Sequence, residues 1–406
     1  MNYLNNFISK SFYKIQNHYI YAHIEYDKIL DTQFINKYVS CIVEKNDILQ
    51  SYYTSENNND IYIKKIENFN PINNYKIIYT NFKNNNKYLY QFINTPLKTQ
   101  SKWMIYFLID IEKSKSLLYF KIDHSYCDGY NFIQIISLNK NNKDNRPKFK
   151  RISNDYFSMC YYYFIGTIVA FISLFKYIYN FYIFLNKNKN KNKNKNKNKN
   201  VKTDFILNNG FDLNQIKLFT IKHNISVNDF LFALMIKTDY IYNGIEKNLK
   251  ITIPMNTNTN TNTNNFLPLF IEMNNKDKNS VLLKNVHEKM NNYKYSLFIP
   301  ILSYLINIFS KIIPIDIDIF NSLTDYTDYK FTNIVCPVID NSIDNSIDNY
   351  IKNINFITNV NGNERTFNII SYKNKINIFI SFKKGNIYKK KFKNALYNAY
   401  NSIINT

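Results

Sequence analysis

The chain has 406 residues, of which 45% are hydrophobic and 17% aromatic, enough apolar material for two ordinary lobes or one large two-layer domain. Its formal charge of +22 comes from lysines spread along the chain, with no zinc-finger spacing, recognition-helix pattern or aromatic–glycine RNA signature beside them, so a nucleic-acid partner is not expected. Four widely separated cysteines (Cys41, Cys127, Cys160 and Cys336) lack C-x-x-C spacing, which argues against a zinc site and gives no disulfide framework.

At the N-terminus, MNYLNNFISKSFYK contains no continuous apolar core of signal-peptide length, and the bulk of the protein is expected to face the cytosol. Residues 1–150 mix strand-like and helix-like runs and read as one lobe. Within it, KWMIYFLIDI (102–111) and SLLYFKIDH (116–124) are β-rich runs joined by charged residues, the pattern of a hairpin. Side chains alternate along the second run, so Phe120, Ile122 and His124 share one face while Lys121 and Asp123 share the other. Ser125 to Gly129 make a short loop, after which Phe132, Ile135 and Ile136 recur at helical spacing. KIDHSYCDG therefore sits at a strand–loop–helix corner, with His124, Asp128 and Gly129 in an H-x-x-x-D-G pattern. A histidine at such a corner can be partly buried and still reach a cleft, and its ordinary pKa of roughly 6.5 suits proton transfer near neutral pH. Asp128 reads as a brace for the loop, and Gly129 as a backbone angle or close approach denied to other residues. A loop histidine followed by a capping aspartate would produce the same pattern.

Residues 151–186 hold the run YFSMCYYYFIGTIVAFISLFKYIYNFYIFL, almost wholly apolar or aromatic and broken by the single charge of Lys176. It is long enough to span a bilayer, which takes about 20 residues. Basic residues flank it on both sides, so neither orientation is favoured, and a re-entrant hairpin, an interfacial helix and a buried core helix also fit. The Lys–Asn tract of residues 187–202 cannot bury a core and reads as a disordered linker. The chain's surplus of lysine reads either as a solvated surface biased toward Lys or as attraction to anionic lipid headgroups, at roughly 1 kcal/mol per basic residue close to the surface.

Residues 203–406 read as a second lobe. Leu213, Ile216 and Phe219 mark a helical face, Ser226 and Asp229 form a capping-box-like start, and the helix that follows is apolar nearly all round. NLKITIPMN reads as a strand ending at Pro254, and LFIPILSYLINIFSKIIP (297–314) as an amphipathic or buried helix. FNIISYKNKINIFISF (367–382) reads as a hairpin turning at Lys373-Asn374.

The H-x-x-x-D-G corner resembles that of acyltransferases with the chloramphenicol acetyltransferase-like fold, and the second half resembles the wax ester synthase/diacylglycerol acyltransferase family. FDLNQIKLFTIKHNISVNDFLFALMIKTDYIY (211–242) is similar to the family's amphipathic helix leading to an Asn-Asp pair, here Asn228 and Asp229. Asn264-Asn265 with FLPLF, FTNIVCPV with Asn333 and Pro337, and the closing hairpin follow in the family's order. Asp123 stands where the family usually has the first of two histidines, Cys336 where it often has glycine, and Thr332 where it has serine.

The resemblance implies an α/β fold, an α+β sandwich of two such lobes around a central tunnel, with a hydrophobic membrane segment inserted between them. It implies acyl transfer from acyl-CoA, as co-substrate and with no cofactor, to a fatty alcohol or diacylglycerol, with His124 as general base. No acyl-enzyme is needed, so Ser125 and Cys127 are not candidate nucleophiles. Asn228 and Asp229 read either as support for the oxyanion or as a purely structural helix start. Since both lobes build one site, both must lie on one side of any membrane, which leaves a re-entrant or interfacial anchor for residues 156–185. The expected location is the endoplasmic reticulum or lipid-droplet surface, with membrane lipid as a partner. The competing expectation is a catalytically inactive relative that binds lipid or tethers membranes.

Overall fold

A computed structural model describes residues 2–3, 12–13, 18–57, 60–82, 85–138, ten helical positions between 157 and 175, and residues 202–256, 266–294, 327–336, 347–360 and 365–406. The first half supplies β1 (Asn2–Tyr3), β2 (Tyr19–Tyr26), α1 (Thr32–Lys45), β3 (Ser51–Asn57), β4 (Asp60–Lys65), β5 (Tyr75–Tyr79), α2 (Asn85–Asn94), β6 (Trp103–Asp110), β7 (Lys115–Asp123) and α3 (Gly129–Ile136). The second half supplies β8 (Thr203–Asp212), α4 (Leu213–Lys222), α5 (Val227–Asn243), β9 (Asn248–Asn256), β10 (Phe266–Asn274) and α6 (Asn279–Lys294). It continues with β11 (Tyr329–Val335), β12 (Ile351–Thr358), β13 (Arg365–Tyr372), β14 (Lys375–Lys383) and α7 (Lys389–Ile404).

These elements build an α+β fold of two lobes. A five-stranded sheet has the order β12-β2-β7-β6-β5, a six-stranded sheet the order β10-β9-β11-β13-β14-β8, and β1-β4-β3 form a small third sheet. The alternation of β7 decides what each face of the first sheet meets. Phe120 and Ile122 pack with Ile20 and Ile24 of β2 against Ile35, Val39 and Ile42 of α1 and Phe132 of α3. The other face puts Tyr19, Tyr21 and Tyr119 against Leu89 and Phe92 of α2 and against Phe205 and Phe379 of the second sheet. That second face packs directly on the second sheet.

The division of the chain at residues 150 and 203 does not anticipate one exchange. β12 belongs to the second half of the chain but closes the edge of the first sheet, pairing Ile354 with Ile24 and Phe356 with Ala22 of β2. It is also tied to β14, since Asn377 Nδ2 donates to the Ile354 carbonyl at 2.8 Å and Ser381 Oγ to the Thr358 carbonyl at 2.8 Å. Asn94 at the end of α2 adds a second tie, exchanging hydrogen bonds with the backbone of Thr203 at 2.8 and 2.9 Å.

In the second lobe α4 buries Leu213, Ile216 and Phe219, and α5 begins with the full capping box of Ser226 and Asp229. α5 ends at Gly244, whose left-handed backbone (φ 68°) suits a residue without a Cβ. β9 runs past Pro254 to Asn256, a correction to the expected end. Pro254 lies opposite Pro268 of β10, and β11 pairs with β9 only at Ile251 and Thr252, so neither proline's missing N–H interrupts a ladder. The hairpin of β13 and β14 turns at Lys373, as expected.

Within the apolar run, the ten described positions are all helical. Phe157, Tyr161, Phe164, Ile168, Phe171 and Phe175 recur there at steps of four and three, and are 41% to 85% exposed. Among the described residues no helix is long and apolar enough to cross a membrane, so they supply no spanning helix for the expected inserted membrane segment. The remainder of residues 151–186, the Lys–Asn tract up to residue 201, residues 297–314, Asn264-Asn265 and Pro337 lie outside the described residues.

Candidate active site

β7 ends at Asp123, and His124 continues its line by donating its backbone N–H to the His18 carbonyl at 2.8 Å. The imidazole is 6% exposed and lies in a group of three nearly parallel rings. Phe12 stacks on His124 at 3.9 Å and on His18 at 4.9 Å, and the two imidazoles are 5.3 Å apart. Phe12 belongs to the apolar core of the second lobe, so the ring group joins the two lobes at His124.

Asp123 turns the chain after the strand. Its Oδ1 accepts from the Ser125 N–H at 3.0 Å and from Ser125 Oγ at 2.7 Å, while burial pushes its carboxyl up to about 6. The residue in place of a first histidine is thus a turn former. Two tyrosines tie the loop to β3: Tyr53 OH donates to the Ser125 carbonyl at 2.9 Å, and the loop's own Tyr126 OH donates to the Ser51 carbonyl at 3.0 Å. Cys127 is buried, and desolvation raises its thiol well above the ordinary range, so a thiolate nucleophile is disfavoured there.

Asp128 caps α3, its Oδ1 accepting from the Asn131 N–H at 2.8 Å. Gly129 begins that helix at a close approach: a Cβ there would stand 2.7 Å from Cζ of Phe356 and 2.8 Å from Cδ1 of Ile334. Since Phe356 is on β12 and Ile334 on β11, the motif's glycine is the point where α3 meets strands from the second half of the chain.

Across the fold, Asn228 accepts a hydrogen bond from Asn333 Nδ2 at 3.3 Å, joining the start of α5 to β11. Asp229 is fully buried, and its Oδ2 accepts from the Ser226 N–H at 2.9 Å and meets His287 Nδ1 at 2.8 Å. Asn291 Nδ2 lies 2.8 Å from His287 Nε2, so the network assigns the proton to Nδ1 and makes Nε2 the acceptor. Asp229 therefore braces α5 against α6. Among the described residues no three His, Cys, Asp or Glu side chains gather as a metal site.

The structure brings His124, Asp128 and Gly129 together at one corner and gives Asn228 and Asp229 separate partners in the second lobe. Sequence reading missed Phe12, His18 and His287. The rarity of histidine, five in the whole chain, was the one available signal for the last two. An imidazole at a strand end, with one face covered and its ring plane set at the lobe junction, can accept and return a proton.

No family model and no curated protein matches the chain. Solved structures do share its fold. The wax ester synthase/diacylglycerol acyltransferase from Marinobacter aquaeolei VT8 aligns over 98% of this chain and 98% of its own, at 10% identity and a TM-score of 0.58. The first condensation domain of the CDA synthetase aligns over 98% and 92%, at 9% identity and a TM-score of 0.61. The trichothecene 15-O-acetyltransferase from Fusarium sporotrichioides aligns over 98% and 94%, at 8% identity and a TM-score of 0.59.

Proposed function

We propose that this chain is a membrane-associated O-acyltransferase, moving a long-chain acyl group from acyl-CoA to a fatty alcohol or diacylglycerol. The observation that carries the reading is His124 at the lobe junction, on a strand–loop–helix corner built by Asp128 and Gly129, in a fold shared with proteins named as acyltransferases. His124 takes the proton of the acceptor hydroxyl, and the oxygen attacks the thioester carbonyl. The tetrahedral oxyanion collapses with cleavage of the C–S bond, and the histidine returns the proton to the thiolate, releasing ester and CoA. General base catalysis of this kind contributes typically about 10²–10⁴-fold, with positioning and oxyanion stabilisation supplying the rest.

The exposed stripe from Phe157 to Phe175 supports a lipid surface as partner, since a patch of large apolar side chains is costly to leave in water. No acidic residue lies between residues 156 and 202, and the lysines that follow the stripe suit anionic headgroups. The exchange of β12 argues against a single crossing between the lobes, because one strand of the first sheet comes from the second half of the chain. The same stripe favours a second reading, a lipid-binding or tethering protein without catalysis.

Labelled acyl-CoA supplied with hexadecanol and diacylglycerol in competition distinguishes the two. Wild type should form at least one ester, and His124→Ala should reduce its formation by about 10²-fold or more. A tether would make neither ester and would be indifferent to the substitution.

A further inference from the structure

We propose that the basic face around the start of α7 docks on an anionic bilayer, with Lys390 and Lys391 holding a lipid phosphate in the cavity beside Ile241. The inference rests on the reading of a lipid surface as partner and is independent of the chemistry at His124. From Arg365 to the last residue the sequence carries nine basic side chains and no acidic one. Lys383, Lys384, Lys389, Lys390, Lys391 and Lys393 are six of them, all at least partly exposed. The fold brings exposed Lys202 to the same face, since the Lys384 N–H donates to the Lys202 carbonyl at 2.9 Å. Lys389 reaches Asp204 of β8 at 2.6 Å, which ties the first turn of α7 to that strand. This carboxylate answers one lysine; among the described residues none pairs with Lys390, Lys391 or Lys393.

Three lysines in the first turn of α7 oppose the helix dipole, and the turn itself holds no acidic residue and no capping side chain. An anion supplied from outside the protein would offset that cost. Between α7 and the end of α5 lies a cavity of about 280 Å³, whose lining includes Ile241, Tyr388, Lys390, Lys391, Asn394 and Ala395. Sites for drug-sized ligands run from roughly 300 to 1,000 Å³, so this one suits a headgroup better than a whole nucleotide. Two apolar side chains beside two ammonium groups fit a phosphate that carries hydrocarbon. Tyr388 and Tyr397, 67% and 40% exposed on α7, are of the type that favours a membrane–water boundary. β8 begins at this face, so the chain that carries the exposed stripe Phe157–Phe175 re-enters the fold here. Stable anchoring takes two signals, and an apolar stripe joined to a basic face supplies both.

The test floats the whole chain with vesicles of phosphatidylcholine, alone or mixed with phosphatidylserine, beside two triple variants whose folding is checked by circular dichroism. One is Lys390→Gln/Lys391→Gln/Lys393→Gln; the other removes the same charge from the first lobe, as Lys76→Gln/Lys98→Gln/Lys113→Gln. Wild type should prefer the vesicles that contain phosphatidylserine. The α7 variant should lose about tenfold or more of its affinity for them, because each lysine near the surface is worth about fivefold. The first-lobe variant should keep most of that affinity. Equal losses in the two variants would mean bulk charge and overturn the proposal, as would an α7 variant that binds like wild type. Wild-type binding indifferent to phosphatidylserine would also overturn it, leaving the apolar stripe as the lipid contact. Inorganic phosphate at matched ionic strength should not release the protein; release would make this a site for the free anion instead. Binding to an RNA oligonucleotide but to neither vesicle would overturn the lipid partner altogether, and this inference with it, while ester formation would still report on His124.

Discussion

A methyl group on Gly129 would stand 2.7 Å from the Phe356 ring and 2.8 Å from Ile334, closer than carbon atoms pack. The glycine is therefore required by space, while Asp128 beside it is required by the unpaired N–H groups that begin α3. Gly129→Ala is expected to destabilise the protein by about 1–3 kcal/mol, the usual range for overpacking. Phe356→Leu in the same chain should recover part of that loss, measured as coupling in a double-mutant cycle by urea unfolding. Additive losses would mean that α3 moves away instead of pressing on β12. Sequence reading reached His124, Asp128 and Gly129 because strand alternation and helix capping act within a few residues. It could not reach Phe12 or His18, whose place beside His124 depends on how an N-terminal segment crosses the fold.

Among the elements, α2 shows how a helix end can depend on a distant strand. Lys121 of β7 donates through Nζ to the carbonyls of Phe92 at 2.7 Å, Ile93 at 3.4 Å and Thr95, and lies 4.4 Å from the centre of the Tyr19 ring. Tyr21 OH donates to the Ile93 carbonyl at 2.9 Å, so the carbonyls that end α2 are met by β7 and β2 together. Burial pushes the Lys121 pKa down to about 7, below its unfolded value near 10.4. Between those values the unfolded chain binds the extra proton, so this lysine makes stability rise with pH from about 7 to 10.4, and the gain is lost as pH falls. Lys121→Met should flatten that rise by an order of a few kcal/mol, followed by urea unfolding at intervals from pH 7 to 10. Parallel curves for the two proteins would show that the ammonium keeps an ordinary affinity for its proton. The alternation of β7 separated Lys121 from His124 at once; that its charge would meet the end of α2 was not in the strand's pattern.

Over the whole molecule the two lobes are joined by an exchanged strand. β12 is bonded along one edge to β2 and held by Asn377 and Ser381 of the second sheet, while α2 is pinned to β8 through Asn94. Opening the lobes would expose the apolar face of Tyr21, Tyr119, Phe205 and Phe379, as well as the polar groups bonded across it. The protein is therefore expected to unfold in one cooperative transition, with calorimetric and van't Hoff enthalpies that agree. Two resolved transitions would mean that each lobe closes its own core without β12.

By itself the sequence determined the local parts of this protein. The hairpin of β6 and β7, the corner at His124, the capping box at Ser226 and the turn at Lys373 each follow from periodicity or capping chemistry over a short span. Tertiary structure alone decided which buried faces meet. It carried β12 into the first sheet, set Phe12 and His18 beside His124, turned Asp229 toward His287 and pressed Gly129 against Phe356 and Ile334. The physical reason is that apolar periodicity tells which side of an element leaves water, and hydrophobic attraction has no direction that would name the partner.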